Sequence, residues 1–398
     1  MQKILKIFLA VILTGVLGYL LFLHRADVRK SVTERDSVAY WAAAQLLVGH
    51  QNPYDYAEVL RREEAQGYSE ARPLVLRTPP WSLFMVVPLG WSTPFGAWAI
   101  WIGILFGCLI LGLRLIRKLY TPPQMPPNLF SILAYTFAPV PACLVSGQMG
   151  LVLMLGIILF LWWEKEHPYL AGVALILPFA KPHLLTLFWV VLLLWVVARR
   201  KQKIAAGFCS ALAGATLLAL YFDPQVFTHY REMIQVAAIQ REFIPALSGV
   251  LRLLFFRRFF WMQFAPLGIG LAWGLQYLRR NWKVWDWRVH GPALLIVSVL
   301  TTPYEWLSDE TVLLPAVLQA AALVFTVRAP LKVLPKIVLI GFACLNVLLL
   351  LILRFKIPFS TGIYFWSSLV WFGWYFYARR IHRKAASADA PALVNMSP

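Results

Sequence analysis

One aspartate in the sequence stands at the start of an uncharged, apolar stretch. Asp36 is followed by residues 37–49, which carry no charge and are mostly apolar. An aspartate here favours a helix N-cap, because its carboxylate accepts hydrogen bonds from the free backbone amides of a first helical turn. A carboxylate held at a membrane surface can also act as a general base on a substrate hydroxyl. Both interpretations are open, and one side chain can have both roles.

Lys181 separates two apolar runs, 169–180 and 184–198, and His183 follows two residues later. A charge in such a position is costly and is usually functional, but a lysine at a helix end can also extend its ammonium to the surface. His183 is either a donor to a phosphate or a satisfied core histidine.

Two further polar positions also have two interpretations each. Gln148, at a predicted tight turn between spans, is a ligand for sugar hydroxyls or a helix cap. Asp309 and Glu310 begin a late apolar run, where a helix cap and a role in orienting a sugar or a cation are both open.

The elements that must position these residues are long apolar runs. Apolar residues make up 60% of the 398 residues and charged residues only 14%, against roughly 25% charged in soluble domains. Runs near 20 residues need lipid around them. The sequence therefore excludes a soluble enzyme, a disordered chain and a secreted disulfide scaffold, and it predicts an all-α polytopic membrane protein of about 12 transmembrane helices. The predicted spans are 4–23, 95–116, 129–146, 149–163, 169–181, 184–198, 204–222, 263–278, 288–303, 310–327, 337–353 and 361–378. The two shortest, which meet at Lys181, are expected to be tilted or partly buried.

The net charge of +19 predicts the orientation of these spans. One set of loops holds 21 basic and four acidic residues, and the other holds 16 basic and 14 acidic residues. Because Lys and Arg near span ends are retained in the cytoplasm, the first set and both termini are predicted to be cytoplasmic, in the plasma membrane. The basic charge is thus a signal of topology and does not indicate nucleic-acid binding.

The two largest outer segments are 24–94, the first outer loop, and 223–261, the second outer loop. In the first, we expect interfacial helices at 36–49 and in the apolar stretch 81–91. The helix at 36–49 would lie in the interface or against the other spans, with Tyr40 and Trp41 at the level of the lipid headgroups. Residues 57–66 are expected to form a polar, solvated helix. A single membrane-embedded domain is predicted for 1–384, followed by a disordered cytoplasmic tail, 385–398.

A series of short motifs runs through most of the chain in a fixed order. In chain order they are Asp36 to Tyr40 (DSVAY), Asn52-Pro53-Tyr54, Thr78-Pro79-Pro80, Gly147-Gln148, Ala171-Gly172 with Lys181-Pro182 nine residues on, Leu247 to Arg252 (LSGVLR) and Thr302-Pro303-Tyr304 with Asp309. Each motif is short, but their order resembles glycosyltransferase family 87, a GT-C group of membrane mannosyltransferase-like proteins.

The resemblance implies a GT-C-type helical bundle and an inverting hexosyltransferase acting on the extracytoplasmic face. Its donor would be a polyprenyl-phosphate sugar, with mannose as the expected sugar, and its acceptor a lipid or a glycan. Asp36 matches the general base of that family. The residues expected to bind the donor phosphate or sugar are Lys181, His183, Gln148, Arg77, Tyr40, His229, Tyr304 and Asp309.

No cofactor or metal is expected. A monophosphate leaving group can be neutralised by Lys, Arg or His, and the sequence contains no D-x-D motif. For the residues of the second outer loop, such as His229, contact with anionic headgroups is an equally open interpretation.

Two other functions compete with the transferase. A transporter or flippase of lipid-linked saccharides also has about twelve spans, but repeat-built transporters show two matching halves, and the pattern of 36–90 has no second copy. The other is an inert assembly subunit.

Overall fold

The computed structural model describes residues 36–122, 125, 127–237, 246–326, 340–341, 343–344, 346–348 and 360–394. All regular structure in these residues is helical. The α-helices are α1 (Asp36–Val48), α2 (Tyr56–Glu64), α3 (Pro94–Tyr120), α4 (Pro127–Thr136), α5 (Pro139–Ser146), α6 (Gly150–Trp163), α7 (Pro168–Ala174), α8 (Thr186–Ala198), α9 (Gln202–Phe222), α10 (Val226–Ala237), α11 (Leu247–Phe255), α12 (Ala265–Asn281), α13 (Trp287–Thr301), α14 (Leu314–Phe325) and α15 (Ser360–Val394). Short 3₁₀ helices lie at Pro80–Met85, Val87–Leu89, Pro178–Ala180, Pro182–Leu185, Phe260–Phe264, Trp282–Val284 and Leu307–Leu313.

Three continuous helical segments among these residues are long and apolar enough to cross a membrane. They are α3, α9 and the run Leu307–Phe325, and a bent pair, Pro168–Ala180 with Pro182–Ala198, is a fourth candidate. The apolar helices α6 and α13 are shorter. A helical membrane protein is therefore confirmed, whereas the number of twelve spans stays a prediction.

Some predicted boundaries differ from the observed ones. The predicted span 129–146 is divided into α4 and α5, because Pro139 has no backbone N–H to continue a helix. The predicted span 4–23 and most of 337–353 lie outside the described residues. Helix α15 ends at Val394, inside the segment expected to be a tail, and the division of the chain at 384 stays a prediction.

The bent pair places Lys181 at its vertex. The chain bends by 114° between its two arms, and Lys181 leaves the helical region with φ −127° and ψ 70°. Pro182 causes the break at Lys181, since a proline disfavours the helical conformation of the residue before it. The prediction of a short helical pair meeting at Lys181 is thus confirmed.

Helix α1 is buried inside the protein. It packs against α3 and against the 3₁₀ helix Val87–Leu89. Tyr40 and Trp41 are only 4% and 6% exposed, so of the two expected placements of this helix the structure shows the one against other helices, and the depth of the two rings relative to the headgroups stays a prediction. An almost wholly apolar helix has no polar face to turn outward, and the surrounding protein covers it on all sides.

Two glycines fix the turn that carries Gln148. Gly147 ends α5 with φ 72°, a left-handed conformation that favours glycine, and a Cβ there would lie 3.1 Å from Ser37 Cβ. Gly150 begins α6, and a Cβ there would lie 2.3 Å from Ser308 O. Gln148 is therefore held between α1 and the 3₁₀ helix Leu307–Leu313.

Replacing Gly150 with alanine is expected to separate α6 from the backbone of Ser308. The shift of α6 that relieves the clash should lower the free energy of unfolding by about 1–3 kcal/mol, as at other overpacked sites, and it should move Gln148. We expect a lower thermal unfolding midpoint of the purified protein. Gly103→Ala is the matched control, because nothing lies within 4 Å of a Cβ there and alanine favours a helix. Equal behaviour of the two variants would contradict the role assigned to Gly150.

Candidate active site

Gln148 is the centre of a polar cluster built from four separate parts of the chain. Its Nε2 donates to Asp36 Oδ2 at 2.6 Å. Its Oε1 accepts from Tyr40 OH at 3.2 Å and from Lys181 Nζ at 3.1 Å. Lys181 in turn is bonded to Asp309 Oδ1 at 2.6 Å. Five of the predicted site residues thus form one continuous hydrogen-bonded chain.

The orientation of the Gln148 amide follows from these partners. A lysine ammonium can only donate, so the atom that faces Lys181 must be the amide oxygen. The amide nitrogen therefore faces Asp36, whose carboxylate accepts from it. A carboxylate has room for several donors, so this bond is compatible with a substrate hydroxyl donating to Asp36 as well.

Lys181 and Asp309 form an ion pair inside the protein. Their side chains are 13% and 3% exposed, so the alternative in which Lys181 extends to the membrane surface is not what the structure shows. Asp309 Oδ2 also accepts from the backbone N–H of Trp306 at 3.2 Å. Asp309 is thus the third residue of the 3₁₀ helix Leu307–Leu313 and its carboxylate bonds back to the N-cap residue Trp306, whereas its role in orienting a sugar or a cation stays a prediction.

The ammonium of Lys181 has one donor left in this arrangement. Its three N–H groups have two partners among the described residues, Gln148 and Asp309. A third acceptor, such as an oxygen of a donor phosphate, can therefore join without displacing either. A contact between Lys181 and an anionic substrate stays a prediction.

His183 and Tyr304 lie next to this cluster. Their rings meet edge to face with centroids 6.1 Å apart, and Thr302 Oγ1 donates to the carbonyl oxygen of His183 at 2.9 Å. The side chain of His183 is exposed. This exposure differs from that of a core histidine, and the contact of His183 with a phosphate stays a prediction.

The last two predicted residues lie in the outer loops. His229 Nδ1 lies 2.6 Å from Asp223 Oδ2, so this histidine has a carboxylate partner of its own and is not bonded to Gln148. Arg77 is exposed, and its contact with a donor phosphate stays a prediction. The sequence alone does not distinguish a polar loop residue that binds a substrate from one that only pairs with a neighbouring side chain.

Two buried charged residues lie near Tyr304: Arg252, which the sequence offers as a phosphate or headgroup contact of the second outer loop, and Glu305, which it does not single out. Arg252, on α11, is 8% exposed and lies over the ring of Phe260 at 5.3 Å. Glu305 is 2% exposed, and its side chain interacts with Ser368 and with the neighbouring Glu310. Both residues lie in or next to the LSGVLR and TPY motifs, which were the available signal in the sequence.

Glu63, on α2, is a buried carboxyl of the first outer loop. Its Oε2 accepts from the backbone N–H of Leu74 at 3.1 Å. Burial raises the pKa of Glu63 to about 7, and the negative charge of Asp36 adds to the increase. Near neutral pH this carboxyl is therefore only partly ionised, which limits the negative charge beside Asp36.

These features define a class of protein: a helical membrane protein with a carboxylate, an amide and a paired lysine gathered in one interior cluster. Within that class, the sequence model of glycosyltransferase family 87 matches residues 78–331. This is more than half of the chain, and the protein belongs to that family.

The match covers Gln148, Lys181 and Asp309 but begins after Asp36 and Tyr40. The hydrogen bonds to Gln148 connect these two residues to the matched segment. No curated protein and no solved structure matches the chain.

Proposed function

We propose that the protein transfers a hexose, with mannose as the expected sugar, from a polyprenyl-phosphate donor to a lipid or glycan acceptor. The observation that carries the proposal is the bond from Gln148 to Asp36, with Lys181 on the other side of the same amide. It puts a proton acceptor and a cation on opposite sides of one side chain. When a hydroxyl displaces a phosphate, the proton acceptor takes the hydroxyl proton and the cation stabilises the charge on the leaving phosphate.

In the proposed step, the acceptor hydroxyl gives its proton to Asp36 while its oxygen attacks the anomeric carbon of the donor. The bond from that carbon to the phosphate oxygen breaks, and polyprenyl phosphate leaves with the electron pair. Attack opposite to the leaving group inverts the anomeric configuration. General-base catalysis of this kind contributes about 10²–10⁴-fold.

Lys181 stabilises the charge that develops on the leaving phosphate. Its remaining N–H, beyond those bonded to Gln148 and Asp309, is the proposed donor to a phosphate oxygen, and a preorganised donor of this type acts without reorganisation. Tyr40 and Gln148 hold the sugar side of the site, and His183 and Tyr304 border it.

The charge asymmetry of the loops supports a plasma-membrane protein with cytoplasmic termini and an extracytoplasmic site. Residues 1–384 then form one membrane-embedded unit. The partners are the lipid-linked donor, the acceptor and the bilayer. No observation favours the alternative, a transporter or flippase of lipid-linked saccharides.

The test is a transfer assay with the purified full-length protein in liposomes. Radiolabelled polyprenyl-phosphate mannose and the corresponding nucleotide sugar are supplied in parallel, with a mixture of lipid and glycan acceptors. We expect labelled product only from the lipid-linked donor, and we expect a chelator of divalent metals to leave the rate unchanged. Product from the nucleotide sugar, or movement of the donor across the bilayer with no product, would contradict the proposal.

A further inference from the structure

A cavity of ≈ 420 Å³ lies between the ends of several helices, away from the Gln148 cluster. It is lined by the last turn of α3, the start of α13, the end of α14 and the second half of α15. Three arginines, Arg288, Arg379 and Arg383, and one histidine, His382, contribute to its lining. A pocket of this volume is large enough for a small ligand.

The hydrogen-bond partners of Arg288 and Arg379 are neutral. The carboxylates of Asp286 and Glu164, which do not line the cavity, act on Arg288 only through longer-range electrostatics. Arg288 donates through Nε to Leu161 O at 3.1 Å and through Nη2 to Trp162 O at 3.1 Å. Arg379 Nη1 lies 3.3 Å from the hydroxyl oxygens of Tyr277 and Tyr375.

The lining of the cavity contains no carboxylate among the described residues. The ion pairs formed within the described part of the chain also include none of the three arginines, Arg288, Arg379 and Arg383. A cavity lined by arginines and by no carboxylate is complementary in charge to an anion. The planar guanidinium groups also donate hydrogen bonds in a geometry that suits phosphate oxygens.

The cavity lies at the other end of the bundle from the candidate active site. On α3, Trp101 Nε1 donates to Gly147 O at 2.6 Å, beside Gln148, whereas Tyr120 lines the cavity. Tyr120 lies 19 positions after Trp101 on the same helix, which corresponds to about 28 Å. The loops at this end are those with the excess of basic residues, which the charge rule assigns to the cytoplasm.

We propose that this cavity binds the phosphate group of a phosphate ester. The arginines hold the phosphate oxygens, and an apolar wall formed by Leu119, Val289 and Leu323 takes the carbon part of the ligand. Basic pockets between membrane helices bind lipid headgroups in this way, and a water-soluble phosphate ester presents the same group. This site is separate from the sugar-transfer site and does not depend on it.

The test compares two sources of the phosphate with the full-length protein. Native mass spectrometry measures retention of phosphatidylglycerol against zwitterionic phosphatidylcholine after release from mixed nanodiscs. Calorimetry in detergent measures binding of glycerol 3-phosphate. Preferential retention of phosphatidylglycerol identifies a lipid headgroup, and binding of glycerol 3-phosphate identifies a soluble ester. If neither probe binds, the proposal is overturned.

Variants separate the cavity from the general basic surface. Arg383→Gln and Arg379→Gln should each weaken binding of the probe by about tenfold, the loss expected for one charge-assisted hydrogen bond. Arg380→Gln is the matched control, because Arg380 is exposed on the same helix and does not line the cavity. Arg383, also exposed, has no bond to the tyrosines, so its replacement tests the cavity even if Arg379→Gln misfolds. Equal weakening by Arg380→Gln would overturn the proposal.

Discussion

Replacing Asp36 with asparagine is expected to reduce sugar transfer by about 10²–10⁴-fold, the usual contribution of a general base. Asparagine has nearly the same shape, and its side-chain oxygen can still accept the hydrogen bond that Gln148 Nε2 donates to Asp36. The variant therefore removes the proton acceptor while it keeps the cluster assembled. Initial rates with the lipid-linked donor, normalised to folded protein, measure the effect.

Asp55→Asn is the matched control for this variant. Asp55 belongs to the same outer loop and caps α2, since its Oδ1 accepts from the backbone N–H groups of Ala57 and Glu58 at 2.9 and 3.0 Å. Asparagine caps helices as well as aspartate does, so folding and transfer should be unchanged. Full activity in Asp36→Asn would exclude Asp36 as the base, and an equal loss in Asp55→Asn would point to damage of the loop.

Replacing Lys181 with glutamine is expected to reduce transfer by about 10²-fold or more, the effect of removing one preorganised donor to a developing charge. The same change leaves the carboxylate of Asp309, only 3% exposed, without its cation. Breaking a buried pair in this way costs about 3–5 kcal/mol. The single variant therefore loses both activity and stability, and thermal unfolding must be measured beside the rate.

The double variant Lys181→Gln with Asp309→Asn separates the two effects. It removes both charges, and the amide oxygen of the substituted side chain can still accept from the N–H of Trp306 as the carboxylate of Asp309 does, so stability should recover. Transfer should stay low, because the cation for the donor phosphate is missing. Recovery of transfer together with stability would show that Lys181 only neutralises Asp309.

Lys165→Gln is the matched control for the lysine. Lys165 is bonded to Asp286 at 2.6 Å, the same distance as in the Lys181 pair, but the two side chains are 50% and 30% exposed. Exposed pairs contribute about 0–1 kcal/mol. We expect little change in stability and none in transfer.

The sequence predicted most of the members of the candidate site but not their arrangement. Asp36, Gln148 and Lys181 were singled out by type and by their positions at the ends of apolar runs. His229 was singled out by its type and its place in an outer loop, and the structure pairs it outside the cluster. The physical reason is local: Asp223, six residues away, is close enough to become its partner.

The sequence located some helices better than others. Hydropathy locates α3 and α9 because each is a long uninterrupted apolar helix. It misses the break between α4 and α5, and it leaves open whether α1 lies in the interface or against other helices, which the structure decides by burying it in protein. An apolar stretch is compatible with lipid and with a protein interior, and composition does not distinguish them.

The sequence by itself determined a helical membrane protein, the basic excess of one set of loops and the motif order that resembles its family. The tertiary structure decided that Gln148 connects Asp36 to Lys181 and that Asp309 pairs with Lys181. The contacts of Asp36 with Gln148 and of Lys181 with Asp309 each join residues more than 100 positions apart in the sequence. The contact of Gln148 with Lys181 spans 33 positions. They depend on close backbone approaches such as that of Gly150 to Ser308. Local patterns specify helices and turns, but only packing of the whole chain brings such segments together.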